Sequence, residues 1–75
     1  MNESKYSKRV LTPRETKVLQ LISEGFTSKK ISDHLNINVW TVKTHRNNMM
    51  NKLKIHNIAG LTKYALREGL ASLVS

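Results

Sequence analysis

Apolar residues recur at helical spacing from Leu11 onward, in four stretches separated by short polar turns. Intervals of three and four residues between apolar positions are typical of amphipathic helices. They predict helices over residues of about 13–24, 28–34, 39–53 and 57–69. Residues 1–10 are polar and charged without such a period, so we expect a flexible tail or the end of a linker there. The sequence therefore predicts an all-α domain of four helices over residues 11–75.

Residues suited to N-capping precede the four segments: Thr12, Thr27 or Ser28, Asn38 and Asn57. Glu15 follows Thr12 at the spacing of a capping box, with Pro13 at the first helical position, where its missing N–H costs nothing. Gly25 and Gly69 stand where a helix ends on a residue with positive φ. Each predicted helix thus has a start signal, and two have a stop signal.

The helical period divides each segment into a buried and an exposed side. The predicted core positions are Leu11, Val18, Leu19, Ile22, Ile31, Leu35, Val39, Val42, Met49, Met50, Leu53, Ile58, Leu61 and Ala65. The opposite face of the third helix carries Trp40, Lys43, Thr44, Asn47 and Asn51. This outer face has no acidic residue, which is unusual for a face that meets only water.

Charge changes the interpretation of that face. The 75 residues include 13 Lys or Arg and five Asp or Glu, a formal net charge of +8, which points to a polyanionic partner, nucleic acid before an acidic membrane. Six of the basic residues and one acid, Asp33, lie between Gly25 and Lys54. Apolar runs of a few residues are far short of a membrane span of about 20. The absence of cysteine excludes disulfides and is compatible with a reducing cytoplasm, the predicted location.

The second and third predicted helices, joined by residues 36–38, have the arrangement of a helix-turn-helix. In that motif the second helix of the pair lies in the major groove of duplex DNA. Lys43 is suited to guanine O6 or N7, and Asn47 to the edge of adenine or to guanine. Thr44 is suited to a thymine methyl group or to a hydroxyl-mediated contact.

Several short motifs carry a family resemblance: Leu11-Thr-Pro-Arg-Glu15, Gly25, Thr41-Val-Lys-Thr-His45, Lys52-Leu53, Tyr64-Ala65 and Gly69. At this spacing they closely resemble the LuxR-type helix-turn-helix domain of bacterial NarL/FixJ response regulators and quorum-sensing regulators. The resemblance extends from Leu11 to about Leu70. It implies four helices, binding to double-stranded DNA as a homodimer, and regulation of transcription on the bacterial nucleoid.

The resemblance also implies roles for individual residues. Bases are contacted by Lys43, Thr44 and Asn47. The DNA backbone is contacted by Lys29, Thr41, Arg46 and Lys52. Further candidates for the DNA-facing surface are Trp40 and Asn51. Candidates for dimerisation through the fourth helix and its apolar tail are Leu66, Leu70 and Leu73. The chain departs from the family pattern at Lys30, Lys54, Ile58 and Trp40, and Trp40 either packs against the turn or faces DNA.

Two other functions remain open at this stage. A sigma-factor domain that reads promoters has a similar helix pair, although the fourth helix favours the LuxR type. A protein-interaction module that binds a regulator or RNA polymerase would instead use the fourth helix. An enzyme is not predicted, because no nucleophile–base set, paired carboxylates or phosphate-binding glycine loop is present. The spacing of His34, His45 and His56 is not that of a metal site, so we expect no metal, cofactor or small-molecule substrate.

Overall fold

The computed structural model describes residues 11–70, which form four helices and no strand. The helices are α1 (Pro13–Ser23), α2 (Ser28–Leu35), α3 (Val39–Leu53) and α4 (Ile58–Arg67). Their bounds lie within one or two residues of the predicted ones, which confirms the all-α fold. None of these four helices has the length and apolar content that a membrane span requires. The predicted tail at residues 1–10 and the dimerisation candidate Leu73 lie outside the described residues.

The predicted N-caps are present at all four helices. Thr12 Oγ1 accepts from the Glu15 N–H at 3.1 Å, and Glu15 Oε1 accepts from the Thr12 N–H at 3.0 Å, which completes the capping box. Thr27 Oγ1 accepts from the Lys30 N–H at 3.1 Å, so Thr27 rather than Ser28 caps α2. Lys30 has no oxygen to return the bond, and this cap is therefore one-sided. Side-chain amides cap the remaining two helices, at Asn38 and Asn57.

The four helices also end alike, in a residue of positive φ followed by a backbone hydrogen bond across the last turn. The positive-φ residues are Gly25 (94°), Asn36 (58°), Lys54 (58°) and Gly69 (74°). The next residue in each case donates its N–H to a carbonyl five positions back: Phe26, Ile37, Ile55 and Leu70. All four donors are partly buried apolar residues on the core. This is the Schellman motif with its hydrophobic contact, and it fixes where the chain turns after each helix.

One apolar core joins the helices: Leu11, Val18, Leu19, Leu21, Ile22, Ile31, Val42, Met49, Leu61 and Ala65. The helix α1 packs against both α3 and α4, and α2 packs against α3 and, over a smaller area, α1. The helix α4 packs on α1 and leaves α3 free on its far side. As a result, α3 is covered along one side only.

Three core assignments differ from the prediction. Val39 and Ile58 are 39% and 56% exposed, although the helical period assigns them to the core. Each is the first residue of its helix, and Cα–Cβ bonds tilt toward the helix N-terminus, so both side chains point past the end of the packed segment. Leu21 is buried, with 3% exposure, and was not predicted. The helix α1 is covered by neighbours on two sides, and its buried face is wider than a single stripe.

We predict that Lys54→Gly stabilises the protein. A residue with a Cβ at φ near +58° is in the left-handed region, which costs about 1 kcal/mol and which glycine adopts without that penalty. Part of the gain is lost to the greater freedom of glycine in the unfolded chain, so we expect an increase of roughly 0.5 kcal/mol in the free energy of unfolding by urea titration. The matched control Lys63→Gly, at an exposed position inside α4, should lower it by about 1 kcal/mol. Destabilisation by both substitutions would contradict the explanation.

Candidate nucleic-acid interface

The outer face of α3 is open to solvent, as its sequence pattern predicts. All five of its residues are exposed: Trp40, Lys43, Thr44, Asn47 and Asn51. At about 100° per residue they occupy an arc of roughly 100° along about three turns of the helix. The structure therefore brings the three predicted base-contact residues and both further candidates onto one continuous surface.

Packing on the opposite side of α3 holds that surface in place. Val42 and Met49 are fully buried in the core, two turns apart, while Met50 and Leu53 are half-buried beside them. The first turn is fixed by Asn38, whose Oδ1 accepts from the Trp40 N–H at 2.6 Å. These contacts restrict both the rotation and the position of α3 and leave the outer face without a partner within residues 11–70.

A hydrogen bond joins α3 to the start of α2. Arg46 Nη1 donates to Ser28 Oγ, and the Arg46 side chain is half-buried between the two helices. The Nε atom of Arg46 is buried without a hydrogen-bond partner among the described residues. A guanidinium has five N–H donors. The buried Nε–H cannot reach an external anion, and the Nη donors that Ser28 does not use are the ones left for an anion at the α2–α3 junction. Lys29, the next residue after Ser28, is exposed at the same junction.

An ion pair joins the other end of α3 to α1. Lys52 Nζ lies 2.7 Å from Glu15 Oε1, with the Glu15 side chain 4% exposed and that of Lys52 38% exposed. The same carboxylate closes the capping box with Thr12. Glu15 thus ties the beginning of α1 to the last turn of α3, a buried role that the sequence pattern did not reveal. The charge of Lys52 is therefore partly neutralised by Glu15.

This arrangement holds the pKa of Glu15 below its usual range. Burial alone raises the pKa, because it disfavours the charged carboxylate. The hydrogen bond from Lys52, the backbone N–H of Thr12 and the electrostatic effects of Lys52 and His45 lower the pKa and outweigh the effect of burial. The charged form of Glu15 is therefore the one that the folded protein stabilises.

A further hydrogen bond runs along the outer face itself. Thr44 Oγ1 donates to the Trp40 carbonyl at 3.1 Å. The hydroxyl hydrogen of Thr44 is thereby occupied, and its methyl group and oxygen lone pairs remain free to contact a ligand. A shallow hollow of about 220 Å³ on α3 is lined by Lys43, Arg46, Asn47 and Met50.

The remaining predicted residues lie around this surface or away from it. Thr41 is half-buried in the first turn of α3. Leu66 and Leu70, the dimerisation candidates within the described residues, are half-buried on and after α4. His34 packs edge-on against Phe26, with ring centroids 5.5 Å apart. No group of three or more His, Asp or Glu side chains within residues 11–70 is placed to hold a metal ion.

Comparison with known proteins identifies the same kind of domain. Residues 9–65 match the family model described as bacterial regulatory proteins, luxR family. The chain is 45% identical over 71 residues to the uncharacterized response regulatory protein YgeK of Escherichia coli K12, a match that covers 93% of this chain and 48% of that protein. It is 47% identical over 64 residues to the transcriptional regulatory protein MctR of Rhizobium johnstonii, covering 85% and 30% respectively.

A third relative is the oxygen regulatory protein NreC of Staphylococcus carnosus, 37% identical over 62 residues, covering 83% of this chain and 29% of that protein. The chain thus spans about half of the length of YgeK and less than a third of the lengths of MctR and NreC. The family consists of DNA-binding regulators rather than enzymes, so the predicted non-enzymatic function is confirmed and the sigma-factor alternative is not supported.

We predict that Glu15→Gln removes a pH-dependent part of the stability. Because the folded pKa lies below the unfolded value near 4.5, the carboxylate contributes its full stabilisation above that pH and loses it as the pH falls through the folded pKa. At neutral pH the variant should be less stable by about 1 kcal/mol. Urea unfolding measured from pH 7 downward gives the free energy of unfolding of both proteins. The difference between wild type and variant should disappear below about pH 4.5. A difference in the free energy of unfolding that stays constant with pH would contradict the role of the ion pair.

Proposed function

The chain belongs to the luxR family of bacterial regulatory proteins and is a DNA-binding domain of transcription regulators, and from that premise we propose how it reads DNA. The helix α3 enters the major groove of a specific duplex site, and α2 crosses the sugar-phosphate backbone. Two copies related by a two-fold axis bind two half-sites.

The observation that carries this proposal is the open, acid-free outer face of α3. Lys43, Thr44 and Asn47 are exposed on it, while the opposite side of the helix is fixed in the core. Base recognition needs donors and acceptors held at fixed positions, without carboxylates that repel phosphate. In this proposal Lys43 donates to guanine, Asn47 pairs with adenine or guanine, and Thr44 contacts thymine.

Phosphate contacts are assigned to the basic and hydroxyl side chains around that face. They are Lys29, Thr41, Arg46 and Lys52. Asn51, at the far end of α3, stays a candidate for the DNA-facing surface. Arg46 and Lys52 each use one N–H on a protein partner, Ser28 or Glu15, and keep further donors. Each cation therefore approaches a phosphate from a position set by the fold. Contacts of this kind fix the orientation of the helix but carry no sequence information.

Dimerisation is assigned to α4 and to Leu70, three residues after its end. Leu66 and Leu70 are only half-buried, and α4 packs against α1 alone among the helices. The apolar surface that Leu66 and Leu70 leave exposed is the part that we assign to a second copy of the domain. Regulation at the chromosome then acts through RNA polymerase, which we retain as a further partner.

We predict that Lys43→Ala and Asn47→Ala each relax the base preference at one position of a site selected from a random duplex library. The expected loss is roughly 1–3 kcal/mol against the preferred base pair, since a bidentate contact is removed. Lys29→Ala is the matched control, because it should weaken binding to all sequences alike and reduce the slope of log affinity against log salt by about one. Competition titrations at two salt concentrations measure both effects.

Two results would contradict these assignments. An unchanged base preference in both α3 variants would show that Lys43 and Asn47 do not contact bases. Failure of the wild-type chain to bind any duplex at low salt would favour a protein-interaction module, because phosphate contacts make DNA affinity rise steeply as salt is lowered.

For the dimer we predict a dependence on half-site spacing. In two-fold complexes the half-sites lie about 10 bp apart, or a multiple of that, centre to centre. Insertion of about 5 bp turns one half-site to the other side of the duplex and should abolish cooperative binding of the second copy. Sedimentation of the chain with each duplex gives the stoichiometry. Equal cooperativity at every spacing, or one copy per palindromic site, would contradict the dimer.

A further inference from the structure

Trp40 is the chain's single tryptophan and is unusually accessible for its type. Its side chain is 73% exposed, more than Val39 or Ile58, the other large hydrophobic residues that lie open among residues 11–70. The structure therefore does not support packing of the indole against the turn, one of the two alternatives that the sequence left open. An aromatic ring gains most from contacts that remove its area from water, and here that area is still free.

The position of the indole is continuous with the surface that we propose for base contacts. Trp40 lies one turn before Thr44 and in line with it, within the same arc as Lys43 and Asn47. At about 1.5 Å of rise per residue, Trp40 and Thr44 are roughly 6 Å apart along the helix, which is less than two base-pair steps of about 3.4 Å. The two side chains can therefore lie over the same base or over neighbouring bases of one strand.

Hydrogen bonds fix Trp40 and Thr44 relative to each other. Thr44 Oγ1 donates to the Trp40 carbonyl, which fixes the side chain of Thr44 and leaves its methyl group unoccupied. The Trp40 N–H is held by the Asn38 side chain, which fixes the first turn. The outcome is an apolar patch of one indole and one methyl group at the start of a face that is otherwise polar and basic.

We propose that Trp40 and Thr44 together select thymine through its C5-methyl group. This inference rests on the proposed insertion of α3 into the major groove, where thymine is the base that presents a methyl group. If the indole contacted sugar and phosphate instead, it would lie beside the outer face of α3, on the same side as Lys29 and Thr41. Its alignment with Lys43 and Asn47 places it over the bases instead. Trp40 is thus a specificity-determining residue at one end of the half-site.

The first test uses the fluorescence emission of the single tryptophan, excited at a wavelength that the tyrosines do not absorb. Binding of a selected duplex, followed independently by the anisotropy of labelled DNA, should shift or quench the emission and protect it from acrylamide. Unchanged emission and quenching on a duplex that binds would overturn the inference and leave the proposed function intact. If no duplex binds, the proposed function fails, and this inference fails with it.

The second test replaces each thymine of the half-site with deoxyuracil, which removes the methyl group and keeps the base pairing. For the wild-type chain one such replacement should weaken binding roughly fourfold, the ratio expected for one buried methyl group. Trp40→Ala should bring the ratio of thymine to uracil affinity below about twofold, because only the Thr44 methyl group then remains beside the base. The matched control Ile58→Ala, which removes an exposed apolar residue on α4 rather than on α3, should keep the fourfold ratio.

Two outcomes would contradict the selection of thymine. Equal binding of every uracil duplex by the wild-type chain would show that no methyl group is read. A uniform loss of affinity in Trp40→Ala, with the thymine-to-uracil ratio unchanged, would place the indole on the DNA backbone. Circular dichroism and thermal unfolding of each variant separate a loss of contact from a loss of fold.

Discussion

The structure depends on the burial of one side of α3. Val42 and Met49 are fully enclosed by α1 and α2, and each such side chain contributes about 1.5–3 kcal/mol through burial. The partly exposed ion pair between Glu15 and Lys52 contributes less, since pairs of that kind give about 0–1 kcal/mol. Apolar packing therefore supplies the stability of α3, and the polar contacts set its orientation. Because α4 packs on α1 instead, the opposite side of α3 is left for a ligand.

This arrangement divides two tasks among different side chains. The excess positive charge lies around the α2–α3 unit, where Arg46 and Lys52 are also bonded to the protein itself. The residues proposed to read bases are Lys43 and two neutral side chains, Thr44 and Asn47. Affinity that comes from phosphates is indifferent to sequence, whereas base contacts discriminate. In the proposed complex the outer face decides which site is bound, and its surroundings decide how strongly.

Local signals were sufficient to predict most of the fold. Caps such as Thr12 and Asn38 act within a few residues, and the helical period separates buried from exposed positions, so helix bounds and the outer face of α3 were recoverable. The helical period wrongly predicted burial for Val39 and Ile58. It gives the direction in which a side chain points, but not whether a neighbouring helix extends far enough to cover it. The contact of Glu15 with Lys52 spans 37 positions and depends on how α1 and α3 cross. The roles of Lys43, Thr44 and Asn47 in base recognition remain predictions.

The most direct test of the central claim is a residue-by-residue map of the surface that binds duplex DNA. Amide chemical shifts of the isotope-labelled chain, recorded with and without a selected duplex, provide it. The account predicts the largest changes at Trp40, Lys43, Thr44 and Asn47 and at the start of α2, with smaller changes on α1. Changes confined to α4 and Leu70, with the outer face of α3 unaffected, would contradict it.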